Sequence, residues 1–281
     1  MAIAIIVISV IFLAPEKEII SMEVEKANIK HNFDYVPHKA LYQVQLVSKK
    51  TASDINNIHG KIFFEWKNGC DGWITSHQFN LIYDLIDTES MNIISDFSNF
   101  ESYDSKNMNF SARIIENGTI VEDIRGSSNK LGNGEVKAIL SKPSELELKL
   151  DKNTLYPNEH TIQILEEIKK GTKFFNSSVF DGSDRKGSVN VNSFIGKQVN
   201  ALANIKTSPD IDTFLINNNA WKVRMAFFTN DEPENEYSDY EMNVTLHENG
   251  VISDAFIEYN DFTIEQKLIA LERLEDKKCK N

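Results

Sequence analysis

Clustered basic residues are missing from this chain. Lys and Arg occur singly or in pairs such as Lys277-Lys278, and Asp and Glu outnumber them 42 to 30. The resulting charge of −12 excludes the phosphate-gripping surface of a nucleic-acid binder and disfavours anionic lipid headgroups. Long apolar runs are missing too. The run at residues 1–14, broken only by Ser9, is too short to span a bilayer and suits an export signal. Six histidines are present, His31, His38, His59, His77, His160 and His247, but no pair stands at metal-ligand or His-Glu-x-x-His spacing. They are read as surface or cap residues. Gly126, Gly132 and Gly134 build no phosphate-binding fingerprint between a strand and a helix. No metal, nucleotide or other cofactor is therefore expected. Catalysis is not expected either, because no nucleophile, base and orienter stand at interpretable spacing.

Aromatic residues are plentiful, and 17 Phe spread along the chain supply enough apolar material for a large core. The organisation predicted is a signal peptide or N-terminal anchor at 1–14, a flexible charged leader at 15–35, and a single domain at 36–281. Within that domain period-two alternation dominates. Ala40, Tyr42, Val44 and Leu46 share one face of a strand. Ile58, Ile62, Phe64 and Trp66 lead to the hairpin signal Asn68-Gly69, with a strand predicted to begin at Cys70. Met108, Phe110, Ala112 and Ile114 precede Glu116-Asn117-Gly118, and Tyr240, Met242, Val244 and Leu246 precede Glu248-Asn249-Gly250. Further strands are predicted at 143–150, 173–180, 187–199 and 220–229, which brings the count to a dozen or more. One short helix is marked by Pro157 in its first turn, Ile162, Leu165 and Ile168 at helical spacing, and Lys169, Lys170 and Gly171 at its end. Residues 231–239 read as an exposed acidic loop. Residues 262–274 fit a helix or a strand equally.

Only two cysteines occur, Cys70 and Cys279. In an oxidising compartment they are free to pair, tying the C-terminal tail to an early hairpin. Zinc would need further ligands, and no orienting context surrounds a Cys–His nucleophile. Asp181, Asp184 and Asp210 to Asp212 could be read as calcium ligands, but the first group lacks the length and closing Glu of a calcium loop, and turn chemistry explains the Asp and Gly there. Trp66, Trp73 and Trp221 read as core or rim anchors.

Four stretches together resemble the EipB family of periplasmic cell-envelope integrity proteins of alphaproteobacteria. Val36-Pro37-His38-Lys39-Ala40-Leu41-Tyr42 looks like the family's opening strand, with Lys39 where Arg is usual. Cys70-Asp71-Gly72-Trp73 resembles its cysteine-centred motif, the run from Phe180 to Asp184 is similar to a family loop, and Cys279 matches the second cysteine. The resemblance implies an all-β fold, a large antiparallel β-spiral or incomplete barrel, its ends pinned by a Cys70–Cys279 bridge. It also implies periplasmic envelope maintenance without catalysis, and a partner protein built of tetratricopeptide repeats. Membrane association is expected only where the N-terminal segment is uncleaved. The rival reading is a periplasmic lipid or lipoprotein carrier. An empty apolar concavity would favour the carrier, and a filled core with a mixed polar rim the protein-binding scaffold.

Overall fold

A computed structural model describes residues 35–200, 202, 205, 208–229, 237–275 and 279. The predicted signal segment, the leader before Tyr35 and most of the acidic loop lie outside these residues. The first seven strands are β1 (His38–Lys49), β2 (Ile55–Asn68), β3 (Gly72–Leu85), β4 (Met91–Ser102), β5 (Asn107–Glu116), β6 (Thr119–Lys130) and β7 (Val136–Lys142). After β8 (Leu146–Leu150) comes the helix α1 (Pro157–Lys170), then β9 (Phe174–Val179), β10 (Val189–Val199), β11 (Ala220–Phe228), β12 (Tyr240–His247), β13 (Ile252–Tyr259) and β14 (Phe262–Arg273).

All fourteen strands join one sheet in the order β8-β7-β6-β5-β4-β3-β2-β1-β14-β13-β12-β11-β10-β9. The first and last strands are neighbours in its middle, where His38 lies opposite Arg273 and Val44 opposite Gln266. From that pairing two antiparallel meanders run outward, and α1 carries the chain from one edge strand, β8, to the other, β9. The segment between β8 and α1 reaches the β9 edge. Leu155 N–H donates to Ser178 O at 2.8 Å, and Phe180 N–H donates to Leu155 O at 2.9 Å. The sheet is thus curled and nearly meets itself without closing.

Local chemistry explains most boundaries. Asn117 and Gly118 both have positive φ, 48° and 83°, as a two-residue turn matching the twist of β5 and β6 requires. Helix α1 starts at Pro157, whose missing N–H costs nothing there, and ends at Gly171 with φ 76°. The Asn68-Gly69 hairpin differs from expectation. Gly69 N–H donates to Gly72 O at 2.7 Å, so the turn is longer, β3 begins at Gly72, and Cys70 lies in the turn rather than the strand. The turn before β13 holds Glu248, Asn249 and Gly250 as expected, closed by Gly250 N–H to His247 O at 2.9 Å. Residues 262–273 are a strand. Tyr35, assigned to the leader, is buried in the folded body.

The inner face is filled by three clusters of buried side chains. One joins Tyr42, Val44, Ile58 and Ile264 to Ile211, Leu215 and Ile216 of the segment before β11. A second packs Ile164 and Leu165 of α1 against Trp66, Trp73, Val191, Val223 and Leu246. The third gathers Phe110, Ile124, Leu140, Tyr156 and Phe180. Each such side chain contributes about 1.5–3 kcal/mol of transfer free energy.

Candidate functional site

The cysteine motif is built on an aromatic floor. The Trp73 ring centre is 5.2 Å from Trp66, 5.9 Å from Tyr35 and 5.3 Å from Tyr103. Tyr103 O–H donates to Gly69 O at 2.9 Å, and its N–H to Asp71 O at 3.1 Å, so the residue just after β4 holds the turn. Gly72 is required because a Cβ there would lie 2.0 Å from Glu101 O. The rigid turn presents Cys70 to Cys279, and the two are disulfide-bonded with Cα atoms 5.5 Å apart, within the usual range. The bridge does not pin the ends of the sheet. Its edges are β8 and β9, whereas Cys70 and Cys279 belong to the β2–β3 turn and the tail beyond β14, near the sheet's centre.

Beside this corner lies a buried polar network that no motif announced. Glu101, 2% exposed, points from β4 at the N-terminus of α1. Its carboxyl oxygens accept from Asn158 N–H at 3.0 and 3.1 Å, Asn158 Nδ2 at 2.8 Å, Glu159 N–H at 3.3 Å and Asn99 Nδ2 at 2.8 Å. Burial pushes the carboxyl up to about 7 against these donors, which favour the carboxylate. Thr75 O–H completes the network by donating to Asn158 Oδ1 at 3.2 Å. The helix start is therefore anchored by a strand on the opposite wall, with the positive end of the helix dipole facing the acid. Glu101→Ala is expected to cost about 3 kcal/mol or more, because several buried donors lose their acceptor at once. Glu101→Gln, which keeps one acceptor, is expected to lose less; chemical denaturation of both variants checks the order.

Of the described histidines only His59, on β2 with its side chain 45% exposed and 3.5 Å from Asp84, is the surface residue expected. His38, His160 and His247 are buried and His77 is partly buried, while His31 lies outside the described residues. His38 and His77 lie in the inner rows of β1 and β3, His160 lies on α1, and His247 stands at the end of β12 opposite Ala220. His38 Nδ1–H donates to Val36 O at 2.7 Å, and His247 Nδ1 pairs with Asn218 Oδ1 at 2.7 Å. Burial lowers His38 and holds His77, His160 and His247 down to about 4, so all four are neutral at pH 7.

Trp66 and Trp73 are core residues; Trp221, on β11, packs at the margin of the α1 cluster. Asp181 Oδ1 accepts from Ser183 N–H and Asp184 Oδ1 from Lys186 N–H, both at 2.8 Å, and Asp212 Oδ1 accepts from Phe214 N–H at 3.1 Å. These are turn contacts. Among the described residues no group of three His, Cys, Asp or Glu side chains is placed to hold a metal ion. An open depression of about 620 Å³ on the outer face, bordered by Lys39, Leu41, Phe63, Asp210, Asp212 and Glu272, mixes apolar and charged groups.

Comparison with known proteins agrees with this architecture. The family model described as EipB-like matches residues 30–275. The cell envelope integrity protein EipB of Brucella abortus is 28% identical over 243 residues, covering 84% of each chain. A crystal structure of a beta-barrel-like protein from Brucella abortus, assigned to a domain of unknown function, superposes with a TM-score of 0.78 at 26% identity. That match covers 86% of this chain and 100% of the other.

Proposed function

Because this chain belongs to the EipB-like family, we propose that it supports cell-envelope integrity by binding another envelope protein, without catalysing a reaction. The observation that carries this reading is the occupied inner face. Helix α1 and the segment holding Ile211, Leu215 and Ile216 lie against it, and Tyr156, Phe180, Ile58 and Ile124 are almost wholly buried there. An acyl-chain carrier needs an unfilled apolar space instead. A compartment outside the cytoplasm, the periplasm in this reading, is supported by the disulfide between two exposed cysteines and by the name of the Brucella relative. A partner built of tetratricopeptide repeats is part of the proposal, since helical repeats offer an extended concave surface.

Deleting the gene is expected to sensitise cells to detergents and cell-wall antibiotics, with restoration by the wild-type chain. The purified protein is expected to show no turnover on ester, phosphate or peptide substrates. Unchanged sensitivity after deletion, or a turnover abolished by substituting an inner-face residue, would contradict the reading.

A further inference from the structure

The two edges of the sheet are finished differently. Strand β8 carries Glu147 and Lys149, with Glu145 just before it and Lys152 just after, the kind of charges that keep a strand edge from pairing. Strand β9 reads Phe-Phe-Asn-Ser-Ser-Val and carries no charge. The ladder assigns its main-chain groups. Ile195 N–H donates to Lys173 O at 2.9 Å, so Lys173, Phe175 and Ser177 turn toward β10, and Phe174, Asn176 and Ser178 turn toward the open edge. Leu155 takes Ser178 O and Phe180 N–H. Among the described residues nothing pairs with the main-chain groups of Phe174 and Asn176. Two N–H and two C=O groups thus stand in a row, extending the edge on which Leu155 has begun a new strand.

Side chains beside that row select what can add to it. Phe174 lies opposite Phe194 with ring centres 4.9 Å apart, and the two are 49% and 48% exposed. They share the outer face, since Ser193 and Ile195 on either side of Phe194 are buried. An apolar pair left in water at an open edge is a seat for an aliphatic side chain. Lys173 precedes β9, and Lys197 lies two residues past Ile195; neither meets a carboxylate among the described residues. Other nearby cations are taken, Lys170 by Glu167 at 2.9 Å and Arg224 by Glu241. Asp151 lies at the far end of the edge, where it accepts from the Ser178 and Ser188 hydroxyls at 3.5 and 3.3 Å. A second copy of the chain is a poor occupant. Its own β9 brings no carboxylate to Lys173, and two chains of charge −12 repel each other.

The geometry points to strand addition: the partner protein lays an extended segment, outside any helical repeat, along β9. Its main chain bonds to Phe174 and Asn176, an aliphatic side chain covers Phe174 and Phe194, and a carboxylate pairs with Lys173. The inference rests on the protein-binding reading given above and gives it a surface. In such additions main-chain bonds supply affinity, and alternate side chains supply specificity.

The test titrates the full chain with a blocked seven-residue peptide alternating Thr and Val between terminal Glu residues, and follows amide hydrogen exchange. The expected result is binding that slows exchange at Phe174 and Asn176 about tenfold. A counterpart N-methylated at alternate residues should not bind, and one with Lys in place of Glu should bind about fivefold more weakly. Asn176→Pro removes a donor the fold leaves unused and should weaken binding about tenfold; Phe174→Ser, at an exposed position, should weaken it about fivefold, both at unchanged thermal stability. Equal binding of the N-methylated peptide, binding without protection of these two amides, or no binding of any peptide would overturn the proposal. Sedimentation of the chain alone as a dimer that Asn176→Pro dissolves would overturn it in favour of self-pairing. A protein that cross-links to the wild-type chain in cells should be lost by Asn176→Pro and by Phe174→Ser. Retention by both variants would overturn the edge assignment while leaving the protein-binding reading intact, whereas absence of any cross-linked protein from the wild type would overturn that reading itself.

Discussion

Cys70→Ser and Cys279→Ser are expected to lower stability equally, by up to roughly 5 kcal/mol. The equality follows from topology, since either substitution opens the same loop, whose ends are 209 residues apart in sequence. The size follows from the chain entropy that a crosslink removes from the unfolded state, which grows with the logarithm of loop length. Such a loss is comparable to the net stability of an ordinary domain. Both cysteines are exposed, so mild reductant should reach the bridge and shift the melting temperature as far as either substitution does. Thermal melts of wild type, reduced wild type and both variants check this, together with thiol titration of the native protein. A free thiol in native protein, or clearly unequal losses, would contradict the account.

Acid is expected to destabilise the fold steeply between pH 6.5 and about 4. His160 and His247 are at most 7% exposed and burial holds both down to about 4, against an ordinary value of 6.5. In that window the unfolded chain binds protons that the folded chain refuses, so stability falls as pH falls, by roughly 3 kcal/mol for each group. His77, also held down to about 4, acts in the same direction. Glu101 acts in the opposite one. Its carboxyl is raised from 4.5 to about 7, so the folded state holds the extra proton and stability falls as pH rises through that window, again by roughly 3 kcal/mol. The histidines outnumber the acid, which places the stability maximum near or just above neutral pH and leaves a net acid loss of several kcal/mol. Melts from about pH 4 to about pH 8 test this. Glu101→Gln should steepen the acid limb, and a profile flat below pH 6.5 would count against the buried neutral histidines.

What the sequence made legible was whatever local chemistry dictates. Helix α1 was bracketed by Pro157 and Gly171, the β5–β6 hairpin was marked by Asn117-Gly118, and inner rows such as Ala40, Tyr42 and Val44 follow period two. Strand β4 was not legible because its inner row is largely polar. Ser95, Asn99 and Glu101 face inward and are buried, so the apolar alternation that marks a strand is absent where the fold places its polar anchor. Strand β14 resisted assignment for a related reason. Ile264 and Glu265 are both buried, on opposite faces, which blurs the pattern. The cysteine pairing needed only two residues and a compartment. Placing it at the centre of the sheet needed the pairing of β1 with β14, which joins residues more than 200 apart and leaves no short-range trace. The same holds for the buried histidines His38 and His77, whose inward positions depend on strand register.

The most direct test of the central claim is quantitative mass spectrometry of the protein and lipid that co-purify with the native chain from cross-linked envelopes. The expected result is one envelope protein recovered in stoichiometric amount with no enriched lipid. A stoichiometric lipid with no protein partner would contradict the protein-binding account and restore the carrier reading.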